Sequence, residues 1–178
     1  MIEVKRGGRY WRIVDPDWRD PADLSYSRKF GGRWNPPGEF GALYLNATLS
    51  VAAANARERN AGRALKIFDL LPAAQPHAVA FDVTPVRALD VVSVVGIADV
   101  GLPQQYPFGV GWPPCQAIAR AARVAGTLGV ACRSAAEATT TWTVGEELAL
   151  FEGDLRVQIF ERREFARWYP DPIPGGAE

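Results

Sequence analysis

The stretch FGGRWNPPG, Phe30 to Gly38, is followed closely by ALYL, Ala42 to Leu45. Gly31 and Gly32 let the backbone take a positive φ or approach another group closely. Pro36 and Pro37 stiffen the exit. A loop constrained in this way holds Arg33 at a defined place, and a guanidinium fork matches a phosphate bidentately. The same pattern also fits a structural turn with Arg33 in an ordinary ion pair. ALYL reads as a short strand in which Tyr44 points opposite to Leu43 and Leu45. One face then packs, and the other can carry Tyr44 into a cleft.

Working outward, YWRIV, Tyr10 to Val14, reads as a first strand. Its alternation places Tyr10, Arg12 and Val14 on one face and Trp11 and Ile13 on the other. DPDWRDPADLSYS follows as an irregular connection marked by Asp and Pro. Beyond ALYL, Thr48 or Ser50 caps a helix starting near Leu49, with Leu49, Ala52, Ala53 and Ala56 as its packing stripe and Gly62 at its end. AVAFDVTP, Ala78 to Pro85, alternates as a strand, and ALDVVSV adds another short one. Gly101 to Pro114 is a long loop rich in Gly, Pro and aromatics, and long loops in compact domains are often functional. A helix opened by Pro113 or Pro114 then carries the stripe Ile118, Ala121, Ala122, Ala125 and Leu128. GVAC, Gly129 to Cys132, is a short buried strand. RSAAEATTTWTVGEE is a polar loop, and LALF and RVQIFER are the last two strands.

The 178 residues suit one domain with one core, expected at about 10–162, with a frayed tail over 168–178. Lys and Arg total 20, as do Asp and Glu, so the net charge is zero and no basic stripe marks a general nucleic-acid binder. No apolar run approaches the roughly 20 residues of a membrane span. The opening MIEVKRGGRYW is mixed and charged, unlike a secretory leader. Cys115 and Cys132 are too few for a four-ligand metal site and read as reduced, buried thiols. His77 is the single histidine, with no nucleophile placed beside it. Neither a GxGxxG opening a helix nor a GxxxxGK[ST] is present.

Three weaker features surround the Arg33 loop. Tyr10 and Arg12 share a strand face; with Arg33 and Tyr44 they offer the charge and flat surfaces that a dinucleotide needs. The tyrosines read equally as amphipathic residues at the edge of the core. The helix Gln116 to Leu128 carries Arg120 and Arg123 outward, as a solvated face would, and its N-terminus after Trp112 could present N–H groups to an anion. Ser134 directly follows a strand end, where binding groups and plain turn serines are both found.

Taken together, YWRIV, FGGRWNPPG with ALYL, WPPCQAIARAA, GVACRSAA and EELALF resemble the RES-domain family. They run in the family's order over roughly Tyr10 to Phe160; the GGRWNPPG-x4-LYL stretch is the specific part. The resemblance implies an α+β fold, a single domain of mixed sheet flanked by helices, similar to ADP-ribosyltransferases. It implies an NAD-consuming bacterial toxin, cytoplasmic, neutralised by an Xre-like antitoxin and independent of metal, nucleic acid or membrane. NAD is then a substrate and inorganic phosphate a co-substrate, with no prosthetic group. Phosphorolysis to ADP-ribose 1-phosphate and nicotinamide, hydrolysis, and ADP-ribosyl transfer to a macromolecule are the activities implied. Homo-oligomerisation is left open.

Carried over by motif, the family's arginines fall on Arg12 and Arg33, its cleft tyrosine on Tyr44 and its serine on Ser134, with Tyr10 beside them. Its glutamate falls on Asn55. The nearest following carboxylate is Glu58, about 4.5 Å further along the helix axis. Breaking the nicotinamide–ribose bond develops positive charge on the ribose, as in glycoside cleavage. A carboxylate stabilises that charge; an amide only hydrogen-bonds. Losing such a partner costs about 10²–10³ in rate. Either Glu58 substitutes, turnover is slow, or the chain is a nucleotide-binding module that no longer cuts.

Overall fold

The alternation around YWRIV extends back to form a long first strand, β1 (Glu3–Val14). The computed structural model describes residues 1–64, 67–136 and 145–169. The rest of the sheet is β2 (Ala42–Asn46), β3 (His77–Val91), β4 (Gly129–Arg133), β5 (Glu146–Phe151) and β6 (Val157–Arg163). Its order is β1-β2-β5-β4-β3-β6, with β1 also paired to β3, so five of the strands return on themselves. β3 runs parallel to β4, while its pairings to β1 and β6 and the β2–β5 and β4–β5 pairings are antiparallel. The chain therefore has the expected α+β organisation, with one mixed six-stranded sheet.

AVAFDVTP and ALDVVSV read from sequence as two strands, and a proline cannot donate to a ladder. They form the single strand β3. The register slips between Arg6 and Gly8 of β1, opposite Thr84–Pro85, so no N–H is required where proline sits. Gly7 is needed there: a Cβ on it would lie 2.7 Å from Pro85 Cα. β3 ends at Val91, and Ser93 then caps a short helix, α3 (Val94–Asp99), by accepting a hydrogen bond from Gly96 N.

The helices cover the outside of this ring. α1 (Ser25–Phe30) lies in the stretch read as irregular, started by the Asp23 carboxylate, which accepts from Ser25 N at 2.9 Å. α2 (Leu49–Arg59) is capped by Thr48, whose hydroxyl accepts from Val51 N. It ends at Asn60, ahead of Gly62. α4 (Trp112–Val124) starts with Pro113 and Pro114 in its first turn. α5 (Phe165–Trp168) closes the described chain. Trp168, assigned to the fraying tail, is buried, and its Nε1 donates to Pro76 O at 2.9 Å. The remainder of that tail, from 170 on, lies outside the described residues.

Three apolar clusters follow from the strand alternation. Tyr10, Val14, Leu43, Leu45, Val79, Phe81, Leu148 and Leu150 fill the ring interior. Ala53 and Ala56 of α2 meet Ala78 and Trp168 on the side of Trp11 and Ile13. On the remaining outer face, Trp34, Phe40, Leu89, Val91, Ile97, Tyr106, Cys115, Cys132 and Ala149 pack under α3, α4 and the Arg33 loop, with Tyr44 at their edge. Among the described residues no helix is long and apolar enough to cross a membrane.

Candidate active site

The Arg33 loop is a tight reversal. Gly32 N donates to Asn35 O at 2.9 Å, and Gly31 takes φ 73° as it caps α1. The side chains then divide by direction. Trp34 is wholly buried, and its Nε1 donates to Cys132 Sγ at 3.1 Å. Asn35 is equally buried and satisfies its amide fully: Nδ2 donates to Ser27 O and Phe40 O, and Oδ1 accepts from the Tyr44 hydroxyl at 2.8 Å. That hydroxyl also accepts from Trp34 N at 2.8 Å. From α4, Gln116 Nε2 donates to Gly32 O at 2.9 Å. With Trp34 driven inward, Arg33 is left half-buried at the cleft. Its Nη1 donates to Val110 O at 2.8 Å, and among the described residues it pairs with no carboxylate.

Next to the loop lies the outer face of β2, β5 and β4. Tyr44 and Asn46 share one face of β2, opposite Leu43 and Leu45. Asn46 stands directly across from Glu147, and Glu147 from Cys132. Asn55 reaches down from α2: its Nδ2 donates to Asn46 Oδ1 at 2.7 Å and to Glu147 Oε1 at 2.8 Å. Asn46 Nδ2 in turn donates to Trp11 O. Ser134 continues the alternation of Val130 and Cys132 beyond the end of β4. It is fully buried, and its hydroxyl has no hydrogen-bond partner among the described residues.

Electrostatics tie these groups together. Burial pushes the Tyr44 phenol well above the usual range, Cys132 and Glu147 add to the rise, and the Trp34 N–H and Arg33 oppose it. Burial also raises the Cys132 thiol, with Glu147 raising and Arg33 lowering it. Tyr44 is therefore a neutral hydroxyl committed to the loop.

Of the residues singled out from sequence, Arg33, Tyr44, Asn55 and Ser134 line this face. Tyr10 does not. It is buried in the ring interior, its hydroxyl 3.5 Å from Glu146 Oε1, and burial raises its phenol to about 12. Arg12 is held elsewhere. Its Nη1 donates to Pro21 O at 2.5 Å, its guanidinium lies over the Trp18 ring, and burial, with Arg59 nearby, lowers it to about 10. Among the described residues it shares no contact with Arg33 or Tyr44. Glu58 is exposed on the last turn of α2. Three residues on from Asn55, Glu58 lies about 4.5 Å further along the helix axis and roughly 60° around it, and among the described residues it makes no hydrogen bond to Asn46 or Glu147.

Sequence reading missed Trp34, Asn35, Gln116 and Glu147. A signal for Glu147 existed: in EELALF it has the parity of Ala149 and Phe151, the face Tyr44 shares. A depression of about 330 Å³ elsewhere, lined by Asp17, Trp18, Arg19, Asp20 and Asp23, carries three carboxylates and is ill-suited to an anion.

Comparison with known proteins agrees with this architecture. The NAD(+) phosphorylases MbcT of Mycobacterium tuberculosis and Mycobacterium bovis are each 36% identical over 104 residues. That match covers 58% of this chain and 55% of each relative, about half their length. The crystal structure of the M. tuberculosis MbcT-MbcA toxin-antitoxin complex superposes with a TM-score of 0.74 at 22% identity, over 90% of this chain and 85% of the other. The RES domain model matches residues 9–166, from the first strand through the last helix, so this chain belongs to the RES domain family.

Proposed function

We propose that this chain cleaves the nicotinamide–ribose bond of NAD and passes the ADP-ribosyl group to inorganic phosphate. The observation that carries the reading is Arg33: a half-buried guanidinium on a loop pinned through Trp34 and Asn35 to the Tyr44 hydroxyl, without a carboxylate partner among the described residues. Such a fork suits the pyrophosphate of a dinucleotide. The name of the mycobacterial relatives supports phosphate as the acceptor.

The chemistry is a substitution at the ribose C1′. The C1′–N bond breaks and its electron pair goes to the nicotinamide nitrogen, which becomes neutral. An oxygen of phosphate bonds to C1′, giving ADP-ribose 1-phosphate. Arg33 holds the pyrophosphate, and the Tyr44 ring edge supports the nicotinamide end. The Ser134 hydroxyl, buried at the strand end and without a hydrogen-bond partner among the described residues, donates to the substrate. The contacts of Arg12 and Tyr10 favour a structural role for both: Arg12 keeps the connection after β1 in place, and Tyr10 fills the ring. Physiologically, we infer a cytoplasmic toxin restrained by an antitoxin protein of the Xre-like DNA-binding type. The toxin–antitoxin complex that shares the fold supports a protein partner.

Purified protein, freed of any bound inhibitor protein, is incubated with NAD and phosphate. Nicotinamide and ADP-ribose 1-phosphate should accumulate in equal amounts, and Arg33→Ala should slow their release by about 10²-fold or more. Absence of nicotinamide release would overturn the proposal. Label from NAD attached to protein or nucleic acid would replace phosphorolysis with transfer.

A further inference from the structure

Asn55 stands where the family resemblance places a glutamate, yet a carboxylate lies within one hydrogen bond of it. We propose that Glu147 is the catalytic carboxylate of this chain and that Asn55 is the positioning residue that orients it. This rests on the NAD-cleaving reading above.

The arrangement is specific. β5 pairs with β2 so that Glu147 sits opposite Asn46, on the face that carries Tyr44. A relay fixes its side chain: Asn46 Nδ2 donates to Trp11 O, and Asn55 Nδ2 donates both to Asn46 Oδ1 and to Glu147 Oε1. Both hydrogens of the Asn55 amide are thus committed, and only Glu147 brings charge. Its second oxygen, Oε2, accepts no hydrogen bond among the described residues. The side chain is half-buried, which leaves that oxygen the acceptor for a substrate.

Charge explains why an amide stands opposite. A glutamate at 55 would meet Glu147 carboxylate to carboxylate, and such a pair holds a proton in common and loses one negative charge. One carboxylate and one amide keep a single full charge with a defined orientation. Moving the carboxylate from α2 to β5 shifts it across one hydrogen bond and keeps it at the same sheet face.

In the reaction, positive charge grows on C1′ and the ring oxygen as the electron pair leaves with nicotinamide. Glu147 Oε2 faces that charge. The phosphate oxygen forms the new bond to C1′, and no proton passes through Glu147.

The test uses the full chain, with nicotinamide release, NAD binding by calorimetry and thermal unfolding measured together. Glu147→Gln keeps the acceptor for Asn55 and removes only the charge. Its kcat should fall about 10²–10³-fold with NAD affinity changed less than about threefold. Asn55→Glu alone should also slow turnover, and the exchange Asn55→Glu with Glu147→Gln should recover most of it. A Glu147→Gln protein within about threefold of wild type would overturn the assignment. Should that single variant unfold, the exchange decides: recovered turnover supports Glu147, and a folded but inactive exchange overturns it. Wild type that releases no nicotinamide defeats the NAD reading itself, and the assignment with it.

Discussion

Removing the Tyr44 hydroxyl by Tyr44→Phe is the sharpest test of how the Arg33 loop is held. The hydroxyl donates to Asn35 Oδ1 and accepts from Trp34 N, each at 2.8 Å. Trp34 and Asn35 are wholly buried, so water does not replace either partner. Leaving a buried donor or acceptor unpaired costs about 1–3 kcal/mol. Asn35 keeps its two bonds through Nδ2, so the lower half of that range applies to it. The sum is about 2–5 kcal/mol. For a chain of this length, each kcal/mol moves the unfolding midpoint by about 2–4 °C, so Tm should drop by roughly 4–20 °C. Calorimetry gives that shift, and urea unfolding followed by tryptophan fluorescence gives the free energy with an unchanged m-value. Turnover of the folded variant should fall only as far as Arg33 becomes mobile. A stability loss below about 0.5 kcal/mol would refute the reasoning. Full stability with abolished turnover would instead mean that the hydroxyl acts on substrate.

Two further outcomes are expected from local geometry. A Cβ at Gly32 would lie 2.5 Å from Tyr44 Oη and 2.9 Å from Asn35 Oδ1, so Gly32→Ala should cost about 1–3 kcal/mol in urea unfolding. Gly38→Ala, with φ 80° but open space, should cost only about 1 kcal/mol, and equal losses would contradict the contact argument. His77 lies below the usual histidine range, held there by burial first and then by the charge of Arg162, whose Nε donates to its Nδ1 at 2.8 Å. The unfolded chain therefore takes up that proton first, and stability present above the ordinary histidine pKa is lost as pH falls through it. The urea midpoint should decline from about pH 7.5 to about pH 5.5, before carboxylates titrate, and His77→Gln should flatten the decline. An identical decline in the variant would assign it to other groups.

Much of the frame was legible along the chain because its signals are local. Alternation in YWRIV and ALYL, the Thr48 cap, the alanine stripe and Pro113–Pro114 mark strands and helices through neighbours in sequence. The glycines and prolines around Arg33 marked a rigid loop, and Gly31 and Gly32 serve the two purposes read for them, a positive φ and a close approach. Reading failed where a distant segment changes the local rule. Pro85 does not break β3, because the register shift opposite Gly7, where β3 carries the extra residue, removes the need for its N–H. Trp168 does not fray, because Pro76 O takes its indole hydrogen.

The site divides in the same way. By itself the sequence determined that Arg33 sits on a stiff loop and that Tyr44 faces away from Leu43 and Leu45. These follow from backbone restriction and residue parity, which need no tertiary contact; that Asn55 stands in a glutamate's place is implied by the family resemblance alone. Only the tertiary structure decided that Trp34 and Asn35 anchor the loop so that Arg33 alone faces the cleft. It separated Arg12 and Tyr10 from that cleft, because one strand face can point into a closed ring. It also brought Glu147, 92 positions away in the chain, to Asn55. Strand pairing sets that contact, and no pattern within either segment encodes which strand will lie beside which.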